Sequence, residues 1–290
     1  ITAGVFGALG GDAQVASTGE RLFLQNAGYI WVPFIAASAI AAWFGMDDLA
    51  SMKASFAQQA VIFQRKHNWL MCWLYVGTFG SFIGYSAGFP LLTKTLFPEV
   101  NALQLAFLGP LVGAMSRSLT GWVSDRWGGG RVTLWVFGGM AIAVLAVLYF
   151  ITIKDQPGAF VGFFASFMAL FFLTGVGNAS TFQMIPAIMR KDMARLMPTA
   201  DEPTRARQAE MEAAAIIGFS SAIGAYGGFF IPKAYGTSIA MTGAVNGALW
   251  AFFAFYLTCI AITWVVYTRK GGVLHDVERR RVSPALQPAQ

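Results

Sequence analysis

Apolar residues in this chain come in blocks close to 20 residues long, and about 20 is the length a helix needs to cross the hydrocarbon core of a bilayer. Seven such blocks cover residues 27–44, 69–89, 102–123, 132–153, 160–189, 213–231 and 244–267. Lipid admits only helices and closed barrels, and the blocks lack the period-2 alternation of barrel strands. They therefore predict an all-α polytopic membrane protein. Composition agrees: 12% of the 290 residues are charged, against about 25% in a soluble domain. The fifth block is long, which predicts a tilted helix or one whose end emerges from the bilayer.

Lys and Arg set the expected orientation. Fifteen of the 20 fall on one side: Lys53, Arg65, Lys66, Arg126, Arg131, Arg190, Lys191, Arg195, Arg205, Arg207 and five in the tail after residue 268. Four fall on the other: Arg21, Lys94, Lys154 and Lys233. Basic loops stay in the cytoplasm, so the tail and the loop Met46–Asn68 are expected there, in a cell inner (plasma) membrane. The net charge of +6 is then a property of those loops and does not indicate a nucleic-acid partner. The expected organisation is a helix end, a periplasmic loop and a further helix over residues 1–45, a central cytoplasmic loop over 46–68, a six-helix transport bundle over 69–268 and a cytoplasmic tail over 269–290. Lys191–Glu212 reads as a solvated connector, with a short surface helix starting at Asp201–Thr204. Ser283–Gln290, with two prolines, reads as disordered. The apolar run Ile1–Gly10 reads as the end of a helix, so the sequence is expected to be part of a longer chain.

Arg117 is the one ionisable side chain inside these blocks. A cation at bilayer depth costs about 2.5 to more than 10 kcal/mol unless compensated. The blocks offer no acidic partner, so the residue points to an anion that comes and goes. Two alternatives stand beside this: snorkelling to the near interface, or a structural partner elsewhere in a longer chain. A guanidinium stays charged and presents a planar fork that matches two oxygens of a small oxyanion.

Tyr75 and Phe79 lie four apart and share a helix face. They can sandwich a flat ion, or simply face lipid. Gly218, Gly224, Gly227 and Gly228 crowd the sixth block, with Ser220 and Ser221 between them. Small residues let helices approach closely, and the same backbone can line an anion site. Gly175–Thr181, with Asn178, is a second small and polar patch. Cys72 and Cys259 lie in apolar blocks, which argues against a disulfide framework. His67 and His275 show no metal-ligand spacing, and no cofactor is expected. A sensor or an enzyme's membrane anchor would need a soluble domain or haem ligands, neither of which the sequence offers, so no enzymatic activity is expected.

Gly121, Asp125, Arg126, Gly128 and Arg131 resemble the inter-helix loop motif of the major facilitator superfamily, a conformational latch. The segments Phe79–Phe89, Gly109–Arg117, Ser180–Ile185 and Gly218–Lys233 resemble its nitrate/nitrite porter branch, the last being similar to that branch's second nitrate signature. The resemblance covers nearly the whole chain. It implies a twelve-helix transporter of two six-helix halves, with this chain holding the end of helix 5 and helices 6–12. It also implies that nitrate and nitrite are the substrates and that an N-terminal half supplies a second arginine. By that resemblance Arg117 is half of the anion clamp, Tyr75 and Phe79 are the aromatic wall, and Gly218 and Ser221 belong to the helix beside the anion. With no membrane carboxylate in view, nitrate/nitrite exchange is expected over proton symport. Another small anion remains the alternative substrate.

Overall fold

The computed structural model describes residues 14–15, 21–22, 28–29, 31–46, 55–275 and 277. They belong to two units, residues 1–53 and 54–290. In the first, Gln14–Val15 (β1) and Arg21–Leu22 (β2) form a two-residue antiparallel ladder. A 15-residue helix, Trp31–Gly45 (α1), follows without a charged residue. The segments Ile1–Gly10 and Ser283–Gln290 lie outside the described residues.

The described residues of the second unit form helices joined by short turns. Phe56–Gln59 (α2) starts on a capping box, in which Ser55 Oγ accepts from the Gln58 backbone and Gln58 returns the bond. Then come Lys66–Tyr75 (α3), a π turn at Val76–Gly80, and Ser81–Leu96 (α4). Ala102–Leu105 (α5), Leu108–Leu119 (α6) and Gly121–Trp127 (α7) lead into Gly129–Thr152 (α8). Ala159–Leu196 (α9), Glu202–Ala225 (α10), Gly227–Thr242 (α11) and Asn246–Ile262 (α12) complete the unit, α12 running into a second π turn at Thr263–Thr268. By length and apolar composition, residues 129–152, 159–196, 202–242 and 246–268 can each cross a membrane. The chain is an all-α polytopic membrane protein.

Several expectations need correction. The third block is not one helix. It breaks after Leu105 and again at Thr120, where φ −105° and ψ 7° leave the helical region. Residues 56–64 of the expected central loop are helical turns. The supposed connector Lys191–Glu212 is also helical: α9 runs on to Leu196, and Asp201 begins a 24-residue helix instead of a short one. Helical backbone satisfies its own hydrogen bonds, so a helix can continue past the bilayer into polar sequence. Nor is that segment uniformly solvated, since Ala209 and Glu212 are 1% exposed.

Inside lipid, helices gain little from burying apolar surface and associate through close packing. Two devices provide it here. One is a wall of rings: Phe89, Phe163, Phe167 and Phe171 are fully buried, with ring centroids 5.0 Å apart for Phe163–Phe167 and 5.2 Å for Phe89–Phe167. The other is glycine at four-residue spacing. Gly80, Gly84 and Gly88 present one stripe to α11, where they meet Gly227, Ile231 and Tyr235. A Cβ on Gly227 would fall on the Gly80 backbone. Three buried hydroxyls pair among themselves: that of Tyr256 lies 2.7 Å from Ser81 Oγ and 2.6 Å from the Tyr85 hydroxyl.

One end of the unit carries a buried polar cluster. His67 is 1% exposed. Its Nδ1 lies 3.1 Å from the Tyr267 hydroxyl, and its Nε2 lies 3.7 Å from Asp192 Oδ2. Burial lowers the affinity of the imidazole for a proton; Asp192 opposes this, while Lys66 and Arg195 reinforce it. The folded state therefore takes up this proton at lower pH than the unfolded chain, whose histidine titrates near about 6.5. Stability from His67 is full above that pH and declines below it, by up to about 1.4 kcal/mol per pH unit. Thermal unfolding in detergent between about pH 7.5 and 5.5 is expected to show a steeper loss for the wild type than for His67→Gln. Parallel curves would remove His67 from the account.

Candidate functional site

Arg117 lies in the last turn of α6 and is half-buried. Its helix is docked on α9 by small groups. Ser116 Oγ donates to the Phe172 carbonyl at 3.0 Å, and a Cβ on Gly175 would overlap Ser116 Oγ and the Gly113 carbonyl. Thr120 donates to the Ser116 carbonyl at 2.6 Å just where α6 ends. The guanidinium carbon sits 5.1 Å from the centroid of the Phe182 ring. Among the described residues no carboxylate lies within 4.0 Å of Arg117. A cation over a desolvated aromatic face gains about 0.5–2 kcal/mol. That alone does not cover the cost of keeping it away from water.

Phe182 begins a stack. Its ring lies 4.8 Å from Tyr75, with 14° between planes, and Tyr75 lies 5.1 Å from Phe79 at 19°. Phe82 follows at 6.5 Å and 23°. The π turn places Phe79 inside an i→i+5 segment, and such turns recur at functional sites. Tyr75 lies beside α10, near Ser221, and in the field of Arg117. Ser221 donates its proton to the Ile217 carbonyl at 2.7 Å. Gly224 seats both aromatics: a Cβ there would stand 3.1 Å from Tyr75 Cδ1 and 3.1 Å from Phe79 Cδ1.

The structure therefore gathers Arg117, Tyr75, Phe79 and Ser221 in one place. Gly218 is exposed on the same helix, one turn before Ser221, and a Cβ there would meet nothing within 4 Å. Phe182 joins them although sequence reasoning did not single it out. Its signal was faint: it stands in the Ser180–Ile185 segment, four residues before Pro186. Proline has no N–H to return to the carbonyl four residues back, which loosens α9 at Phe182.

The loop motif follows Arg117 on the next helix. Gly121 opens α7, and its carbonyl accepts from Gln183 Nε2 at 3.2 Å. Gly128 turns the chain at φ 91°, a region that favours glycine. Asp125 and Arg126 are exposed, with Arg126 over the Trp127 ring at 5.8 Å. Arg131 lies in the first turn of α8 and is half-buried.

Comparison with known proteins decides the family. No family model matches the chain. It is 49% identical over 270 residues to the nitrate/nitrite transporter NarU of Salmonella typhimurium (strain LT2), covering 92% of this chain and 58% of that protein. It is 48% identical over 270 residues to NarU of Escherichia coli (strain K12), with the same coverage. The chain belongs to the nitrate/nitrite porter family of the major facilitator superfamily. A more distant porter, the probable nitrate/nitrite antiporter NarK2 of Thermus thermophilus, is 36% identical over 281 residues. The chain spans 58% of the length of each of these porters.

Proposed function

We propose that this chain forms part of a transporter that exchanges nitrate for nitrite, and that Arg117 is its anion-binding cation. The observation that carries this reading is the half-buried guanidinium, unmatched by a carboxylate among the described residues and set at the head of the Phe182–Tyr75–Phe79 stack. Nitrate and nitrite are small, planar and singly charged. The guanidinium fork matches two of their oxygens, and the stacked rings beside it give the site a flat aromatic wall. The Tyr75 hydroxyl is a donor for the anion. Gly218 and Ser221 bring α10 close to it. The chain carries out transport and no covalent chemistry.

The cycle is alternating access, in which this six-helix unit (residues 69–268) rocks against an N-terminal half that completes the site with a second cation. Residues 1–45 would then hold the end of helix 5 and helix 6. Gly121, Asp125, Arg126 and Arg131 serve as the latch at one end of that motion. The uneven distribution of Lys and Arg supports a multi-pass inner-membrane protein whose tail is cytoplasmic. The Thermus relative is named an antiporter, and exchange needs no proton site in this unit.

Counterflow in proteoliposomes made with the full-length protein tests the reading. Labelled nitrate should enter against internal nitrite without a pH gradient, with nitrite and chlorate competing and formate competing weakly. A strict requirement for a proton gradient would replace exchange with symport. Preference for formate over nitrate would replace the substrate.

A further inference from the structure

Arg65 and Glu212 lie outside the aromatic site, yet they join the two helices that form its walls. Arg65 Nε donates to Glu212 Oε2 at 2.7 Å, and Nη2 donates to Oε1 at 2.8 Å. Gln208 Nε2 adds a third bond to Oε1 at 3.0 Å. The Glu212 side chain is 1% exposed and that of Arg65 22%. A buried pair of this kind is a poor source of stability, because desolvation offsets most of the attraction and apolar side chains often do as well. Its best-attested use is to fix a register or serve a switch.

Its position says which register. Arg65 caps the start of α3, which carries Tyr75, and Glu212 lies on α10, which carries Ser221. The nine residues from Glu212 to Ser221 span roughly 13 Å of helix. Glu212, Ile216, Ser220 and Gly224 are all buried at four-residue spacing, so they form one face. Gly224 at the far end of that face approaches Gly80, its carbonyl 3.1 Å from where a Gly80 Cβ would stand. The two helices are thus tied at the Arg65–Glu212 pair and again at the glycines, with Tyr75 and Ser221 on the stretches between the ties.

We propose that Arg65 and Glu212 are positioning residues for transport: their ion pair clamps α3 to α10 and thereby sets how far the anion site opens towards that end. This rests on the nitrate-exchange reading. With the pair closed, the walls that carry Tyr75 and Ser221 stay together. When water enters and solvates the two charges, the helix ends part about the glycine contact. The clamp therefore governs turnover more than it governs the fold.

The test uses the full-length protein with three changes: Glu212→Gln, the apolar pair Arg65→Met with Glu212→Leu, and the charge reversal Arg65→Glu with Glu212→Arg. The apolar pair leaves no buried charge and is expected to fold and to bind nitrate within a few-fold of wild type. Its exchange per folded molecule should fall at least tenfold, and the reversal should recover part of that loss. Wild-type exchange in the apolar pair would overturn the clamp, as would losses in every variant that merely track the amount of folded protein. A second readout is independent of any substrate: the reactivity of the thiol introduced by Ile216→Cys on the clamped face, in a background with Cys72→Ser and Cys259→Ser. Its labelling rate should rise about tenfold when the apolar pair is added, and an unchanged rate overturns the clamp. If the wild type neither binds nor moves nitrate while labelling still rises, the transport reading fails and the clamp stands.

Discussion

Arg117→Lys is expected to weaken nitrate binding about ten- to a hundredfold while leaving the protein folded. The ammonium keeps the charge but gives up the planar fork, and with it one of two charge-assisted hydrogen bonds. Such a bond contributes about 1.5–3 kcal/mol, and each 1.4 kcal/mol is a factor of ten. The lysine also loses the flat face that the guanidinium presents to Phe182, 5.1 Å away. Arg117→Ala removes the charge itself, and exchange should become undetectable. Nitrate titration of the purified variants and counterflow in liposomes check the two expectations. Near-native affinity in the lysine variant would sink the bidentate role. Normal exchange in the alanine variant would leave Arg117 as a snorkelling residue.

Arg117 was legible in the sequence because a lone charge in apolar surroundings is conspicuous whatever the tertiary structure. The apolar blocks were legible for a similar reason: bilayer thickness fixes helix length before any contact is made. What escaped notice depends on partners far away in the chain. Glu212 looked like one of several charges in a polar connector, and its burial follows from Arg65, 147 residues earlier. The break of the third block at Thr120 leaves the apolar pattern unchanged, because it is a change in backbone dihedrals and not in composition. Phe182 was one of 26 phenylalanines, and its place between Arg117 and Tyr75 sets it apart. Periodicity correctly placed Tyr75 and Phe79 on one face, but it gave no sign of the π turn that holds Phe79.

The glycines divide by what surrounds them, and that division yields the second large effect. Gly175 lies where α6 and α9 touch. A Cβ there would overlap Ser116 Oγ and the Gly113 carbonyl and stand 3.0 Å from the Arg117 backbone nitrogen. The serine hydroxyl can rotate away, but the carbonyl and the nitrogen move only if α6 moves. Overpacking of this kind costs about 1–3 kcal/mol, and the displaced helix carries Arg117 off the Phe182 ring. Gly175→Ala is therefore expected to abolish exchange even in molecules that remain folded. Gly218→Ala is the counterpart, since its added methyl enters open space. That variant should match the wild type in thermal stability and change only nitrate affinity, by a few-fold. Stability and affinity measured for both variants separate the roles. If Gly175→Ala exchanges normally, α6 is not held by that seam. If Gly218→Ala leaves affinity untouched, the anion does not approach α10 at Gly218, and the wall on that side is Ser221 alone.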